Sequence, residues 1–191
     1  MPQEIHEGQL FLLDACCLIN LFATDRAGEI LKVMPYRFAV PRFVAENEVF
    51  RLGPASANLE EEYQLISAAE IRAIAGLQIL EIESPIEIAE LVRFAALLDD
   101  GEANACALAV ARHGGVATDD RKALAVLARL APRVPTLQTS EILFEGISRN
   151  RWTDFEVRRM LRSIRDRARF VPRRGTPHFD WWTKLLEGNL K

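Results

Sequence analysis

Short apolar runs at 9–13, 37–40, 77–82, 116–118 and 134–137 punctuate this chain. Runs of this length predict strands buried on both faces, as in a parallel sheet. Between them the apolar positions return at helical spacing. Residues 15–25 and 26–34 predict two short helices, the second stopped by Pro35. Pro41 closes the second strand, FVAENEVF continues as a helix, and Gly53-Pro54 breaks it. Helical periodicity resumes over 58–75 through Leu59, Tyr63, Ile66, Ala69, Ile71 and Ile74, with a solvated face at Glu60, Glu61 and Glu62. Ser84-Pro85 form an N-cap and first-turn pair for a helix over 86–98. A small-residue helix follows at 101–113 with Gly114-Gly115 as its C-cap, and 121–130 makes another.

The alternation predicts an α/β fold: a central parallel sheet of four to five short strands flanked by helices. From Ser140 onward only helices are expected: 140–148, 153–168 behind a Thr153 N-cap, and an aromatic-rich segment near 177–188. This divides the chain softly into a domain at 1–139 and a helical extension at 140–191 packed on it.

Composition adds a charge asymmetry. The net charge is −3, but residues 1–139 carry 12 Lys/Arg against 20 Asp/Glu, whereas 140–191 carry 12 against 7. The body is acidic and the extension basic. Cys16, Cys17 and Cys106 have neither metal-binding spacing nor an even count, so they read as small apolar residues in a reducing compartment. Without a signal-peptide pattern or an apolar run of membrane-spanning length, a cytoplasmic protein is expected.

Four carboxylates occupy comparable places. Asp14 ends the first strand, Glu46 lies in the helix after the second, Glu102 opens the 101–113 helix, and Asp120, beside Asp119, follows the fourth strand. Ligands of open parallel sheets bind outside the carboxyl ends of the strands, where strand order reverses. The placement therefore predicts that several of them converge in one cleft. Taken singly, each acid reads as a helix-start cap or a solvated group. Together they repel one another unless a cation is present. An oxygen-only ligand set favours Mg²⁺ or Mn²⁺ over zinc. Such ions activate water and stabilise charge on a phosphoryl oxygen, the chemistry of phosphodiester hydrolysis.

The runs LLDACCLINLF, VPRFVAENEV and GEANACALAVARHGGVATDD resemble the PIN domain, a metal-dependent ribonuclease fold common in bacterial toxin–antitoxin modules. The resemblance spans about 9–139. It implies that the family's four acids fall on Asp14, Glu46, Glu102 and, in the T-x-D turn Thr118-Asp119-Asp120, on Asp120, as catalytic residues and metal ligands. Asp119 is a further candidate ligand, Asp99 and Asp100 are rivals, and Glu48 competes with Glu46. By helical phase Glu46 and Glu48 lie about 200° apart and cannot both face the cleft. Two departures stand out: Ala15-Cys16 replace the small hydroxyl residue usual after the first acid, and Glu102 replaces the usual Asp.

The function implied is a Mg²⁺- or Mn²⁺-dependent endoribonuclease, the toxin of a toxin–antitoxin pair, with RNA as substrate, an antitoxin protein as partner and homodimerisation as a family trait. The alternative is a catalytically degenerate PIN-like scaffold that binds RNA or protein. The three histidines show no ligand spacing and no Gly-rich phosphate loop is present; a D-x-D after the first strand, which a haloacid-dehalogenase-like phosphatase needs, is also missing. Ten arginines between 149 and 174, with Trp152, Phe155 and Phe170 among them and Trp181-Trp182 beyond, suit RNA phosphates and stacking, an acidic antitoxin segment, or a solvated amphipathic face packed on the body.

Overall fold

The computed structural model describes residues 5–48, 50–54 and 63–187. Strand β1 (Leu10–Leu13) leads into helices α1 (Ala15–Phe22) and α2 (Ala27–Val33). Strand β2 (Arg37–Pro41) and helix α3 (Arg42–Asn47) follow. Next come strands β3 (Phe50–Leu52) and β4 (Gln64–Ile66) and helix α4 (Ala68–Ala73). Strand β5 (Leu77–Leu80) precedes helices α5 (Pro85–Ala95) and α6 (Asp100–Ala111). Strand β6 (Gly115–Ala117), helix α7 (Arg121–Leu130) and strand β7 (Thr136–Leu137) complete the sheet. The chain ends in α8 (Thr139–Arg149), α9 (Asp154–Ser163) with a π-helical turn over Ile164–Ala168, and α10 (Phe179–Glu187).

The fold is α/β, with all five expected strands in one parallel sheet ordered β5-β2-β1-β6-β7. Strand order reverses at β1: β2 and β5 lie to one side, β6 and β7 to the other. Alternation along β1 sends Phe11 and Leu13 into one core with α1, α2, α8 and α9, and Leu10 and Leu12 into the other with α5, α6 and α7. Fully burying each such side chain contributes roughly 1.5–3 kcal/mol. Helix α6 is small-sided because it is wedged between the sheet and α5: Ala103, Ala105, Cys106, Ala107 and Ala109 are all buried. The boundary near 139 does not separate two cores, since Ile142, Leu143, Leu161 and Trp182 share one cluster with Phe11 and Leu18. Thr153 caps α9 as expected, in a reciprocal box with Glu156.

Three local expectations give way. The helix expected through FVAENEVF ends at Asn47, and Phe50 and Leu52, buried on either side of exposed Arg51, pair antiparallel with β4. Cross-strand burial at Phe50↔Ile66 outweighs the helical reading. The same strand displaces the helix expected at 58–75, which begins only at Ala68 behind the Ser67–Glu70 capping box; residues 55–62, including the expected acidic face at 60–62, lie outside the described part. The left-handed residue after α6 is His113 (φ 53), not a glycine. Gly115 is required for close approach instead, because a Cβ there would meet the Phe11 ring at 2.3 Å and the Pro135 carbonyl at 2.7 Å.

Candidate metal centre

Asp14 leaves the end of β1 in extended conformation at the N-cap position of α1, yet its side chain does not cap that helix. It turns to the neighbouring strand, where Oδ2 accepts the Thr118 hydroxyl at 2.6 Å and the Cys16 thiol at 3.2 Å. Burial of Asp14 (6% exposed) and of Thr118 (0%) makes that pair a fixed feature. The Thr118 Oγ1 also accepts the Asp120 backbone N–H at 3.0 Å, so one hydroxyl spans the ends of β1 and β6. This is the point where the strand order reverses and where parallel sheets place their ligands.

Asp120 caps α7 through Oδ1, which accepts the N–H groups of Lys122 (2.6 Å) and Ala123 (2.8 Å). Glu102, on the first turn of α6, faces it. Burial, and then the charges of Asp120 and Asp14, push the Glu102 carboxyl up to about 7, despite the opposing N–H of Asp99. Its Oε2 is buried without a hydrogen-bond partner. A carboxylate oxygen in that state is costly unless a proton or a cation occupies it. Cys106 lies beneath, its thiol raised to about 12 by burial and by the charges of Asp14 and Glu102.

Glu46 is not brought to this cleft. Its carboxylate forms an ion pair with Arg72 of α4 on the outer side of α3. Glu48 comes instead, because α3 ends at Asn47 and Glu48 continues in extended conformation (φ −88, ψ 142). Its Oε1 lies over Gly101, where a Cβ would meet it at 1.7 Å. Burial and the charges of Asp14 and Asp99 raise its pKa. Nothing local in the sequence marks this, since the strand at Phe50–Leu52 that follows Glu48 is set by its pairing with Gln64–Ile66.

Asp119 is the most heavily bonded of the acids. It accepts the Thr139 N–H at 3.1 Å, the Thr139 hydroxyl, the Asn20 amide at 3.2 Å and the Cys17 thiol at 3.6 Å. Burial raises its pKa while the Thr139 and Cys17 bonds oppose the rise. Those bonds tie α1 and the start of α8 to the β6 turn, which marks Asp119 as an anchor beside the cleft. Asn20 and Thr139 carried no motif in the sequence. Asp99 contributes its charge to Glu48 and Glu102, while the Asp100 carbonyl accepts the Asn104 side chain at 2.8 Å.

Among the described residues, the group whose potential metal-binding atoms lie within 4.8 Å of one another is Cys16, Cys17 and Asp119. Its chemistry does not suit a cation. Cys17 is fully buried and its thiol is pushed well up by that burial, so it stays protonated, and the Asp119 oxygens already have donors. The set Asp14, Glu48, Glu102 and Asp120 is more open but consists of oxygens only, with an unpartnered oxygen on Glu102. Their donor chemistry, though not that close a spacing, is the kind a hard divalent ion takes.

In comparison with known proteins, the chain matches no family model, no curated protein and no solved structure.

Proposed function

We propose that this protein is a Mg²⁺- or Mn²⁺-dependent endoribonuclease that hydrolyses RNA phosphodiester bonds at the cleft between β1 and β6. The observation that carries the reading is Glu102: a carboxyl raised to about 7 by burial and by Asp120 and Asp14, with one oxygen buried and unpartnered. The other three acids, Asp14, Glu48 and Asp120, lie with it near the switch point of a parallel sheet, and oxygen donors of this kind support the reading of a cation site.

Asp14, Glu48, Glu102 and Asp120 would hold the ion. A bound Mg²⁺ or Mn²⁺ supplies Lewis acidity that lowers the pKa of a water and offsets charge on a phosphoryl oxygen. Thr118 orients Asp14, as outer partners of metal ligands do. Without an ion, burial and the charges of Asp120 and Asp14 favour a proton on Glu102, and a bound cation would take that proton's place. The role of toxin in an antitoxin-controlled pair, and the dimer that goes with it, follow from the PIN resemblance alone and remain part of the proposal.

A second reading, a catalytically degenerate scaffold, draws on the open spacing of the acids and on Cys16 donating to Asp14 where a hydroxyl is usual. One experiment separates the two. Purified protein incubated with an RNA pool should cleave it with Mn²⁺ and not with EDTA, and Asp14→Asn should abolish cleavage while its circular dichroism stays native. Full activity in the folded Asp14→Asn protein contradicts the nuclease assignment, and the absence of both Mn²⁺ binding and cleavage in the wild type favours the scaffold.

A further inference from the structure

A cavity of about 490 Å³ opens beside the acidic cleft, lined by Asp119, the anchor next to it. One wall is Arg121 at the start of α7 with Gln138; the other is the 169–176 loop, including Arg169, Phe170, Arg173 and Arg174. The loop is held at both ends. It leaves the π-helical turn at Arg169 in left-handed conformation (φ 55). A tight turn follows, in which the Thr176 N–H (3.0 Å) and hydroxyl (2.6 Å) donate to the Arg173 carbonyl and Gly175 takes a positive φ of 86°. Beyond it the Ser140 hydroxyl donates to the Pro177 carbonyl at 2.8 Å, and His178 stacks on Phe144 with ring centres 3.8 Å apart. Phe170 meets Trp182 edge-on at 5.7 Å.

The charges lining this cavity are four guanidiniums and one carboxylate, on a chain whose net charge is −3. Arg149, Arg165 and Arg167 elsewhere in the extension are bound to Glu145, Asp166 and Asp25. Arg121, Arg173 and Arg174 have no side-chain hydrogen bond or ion pair among the described residues, and Arg169 donates to the Tyr63 hydroxyl at 2.7 Å. Unpaired, exposed guanidiniums on a loop pinned at both ends and on the facing start of α7 suit a phosphate, since the planar fork matches phosphate oxygens two at a time. The neighbouring acids repel a polyanion, so a substrate of that cleft needs compensating cations alongside.

We propose that this cavity is the subsite for single-stranded RNA leading away from the cleft, with Arg121, Arg173 and Arg174 on a backbone phosphate and Phe170 against the adjoining base. The inference rests on the nuclease reading and gives its substrate a second point of attachment. An acidic protein segment would satisfy the arginines, but it would leave the aromatic wall and the proximity to the acidic cleft unused.

The test is anisotropy of a short fluorescent oligouridylate with the full chain in EDTA, which separates binding from cleavage. R173A/R174A should bind about tenfold or more weakly, and its plot of log affinity against log salt should be shallower by about 0.7 for each phosphate no longer neutralised. Retained α-helical signal shows that the variant is folded. Unchanged affinity and salt slope overturn the proposal, as does a polyglutamate peptide that binds the wild type more tightly than the oligonucleotide. The two readings fail separately. If D14N abolishes Mn²⁺-dependent cleavage while R173A/R174A binds normally, the subsite alone is wrong; if R173A/R174A binds weakly and the wild type never cleaves, the nuclease reading alone is wrong.

Discussion

The Thr118 hydroxyl donates to Asp14 Oδ2 at 2.6 Å across the seam between β6 and β1. It also accepts the Asp120 N–H, so a single neutral side chain links two acids that follow different strands. The wider cluster is built on that relationship: α6 delivers Glu102 from above the same seam, and the chain beyond α3 delivers Glu48.

Thr118→Val keeps the shape of this side chain and removes both hydrogen bonds. We expect a loss of about 1–3 kcal/mol in unfolding free energy, because Asp14 remains buried without its hydroxyl partner. Mn²⁺-dependent cleavage should fall by about 10–100-fold, the usual cost of removing an outer partner of a metal ligand. Urea unfolding and single-turnover cleavage measure the two effects.

Glu102 makes stability pH-dependent when no metal is bound. Its carboxyl titrates near 4.5 in the unfolded chain and at about 7 in the folded one. The folded state therefore holds a proton that the unfolded state releases across that window, and stability falls as pH rises from about 4.5 through 7. Melting temperatures in EDTA should drop over this range, the drop should shrink in Glu102→Gln, and Mn²⁺ should stabilise the wild type most above pH 7.

Glu46 and Glu48 make opposite predictions. Glu46→Gln removes a surface ion pair with Arg72 and should cost no more than about 1 kcal/mol, with cleavage unchanged. Glu48→Gln should weaken Mn²⁺ binding about tenfold or more. Gly101→Ala should do the same without unfolding the protein, because the new Cβ displaces the movable end of Glu48 rather than backbone. Calorimetric Mn²⁺ titration of the three variants distinguishes them.

Away from the cleft, Glu87 supports acid stability. Burial would raise its pKa, but the N–H groups of Glu83 (2.8 Å) and Ser84 (2.9 Å) and the Arg112 guanidinium (2.7 Å) hold it at about 2. Its contribution is present above 4.5 and lost as pH falls toward 2. Glu87→Gln should cost about 1–3 kcal/mol at neutral pH and flatten the acid limb of the stability curve, with cleavage untouched.

The sheet was legible because strands buried on both faces leave continuous apolar runs, as in Leu10–Leu13 and 37–40. Positions set by distant pairing were not. Phe50–Leu52 follows a helical pattern locally and becomes a strand only because Gln64–Ile66 meets it, and this moves the acid at the cleft from Glu46 to Glu48. Asp14, Glu102 and Asp120 sit at strand ends and helix starts, where local sequence already fixes direction. The roles of Asn20 and Thr139, more than a hundred residues apart on the chain, arise only when α1 and α8 close on Asp119. The arginine cavity likewise needs the fold, since Arg121 and Arg173 belong to segments that sequence spacing does not relate.

The most direct test of the metal centre is the anomalous difference map of a crystal soaked in Mn²⁺. The account predicts one strong peak coordinated by Asp14 and Asp120, with Glu102 and Glu48 as further oxygen ligands, and its disappearance in Asp14→Asn. A peak held by Cys16, Cys17 and Asp119, or no peak at the end of β1 at saturating Mn²⁺, would contradict it.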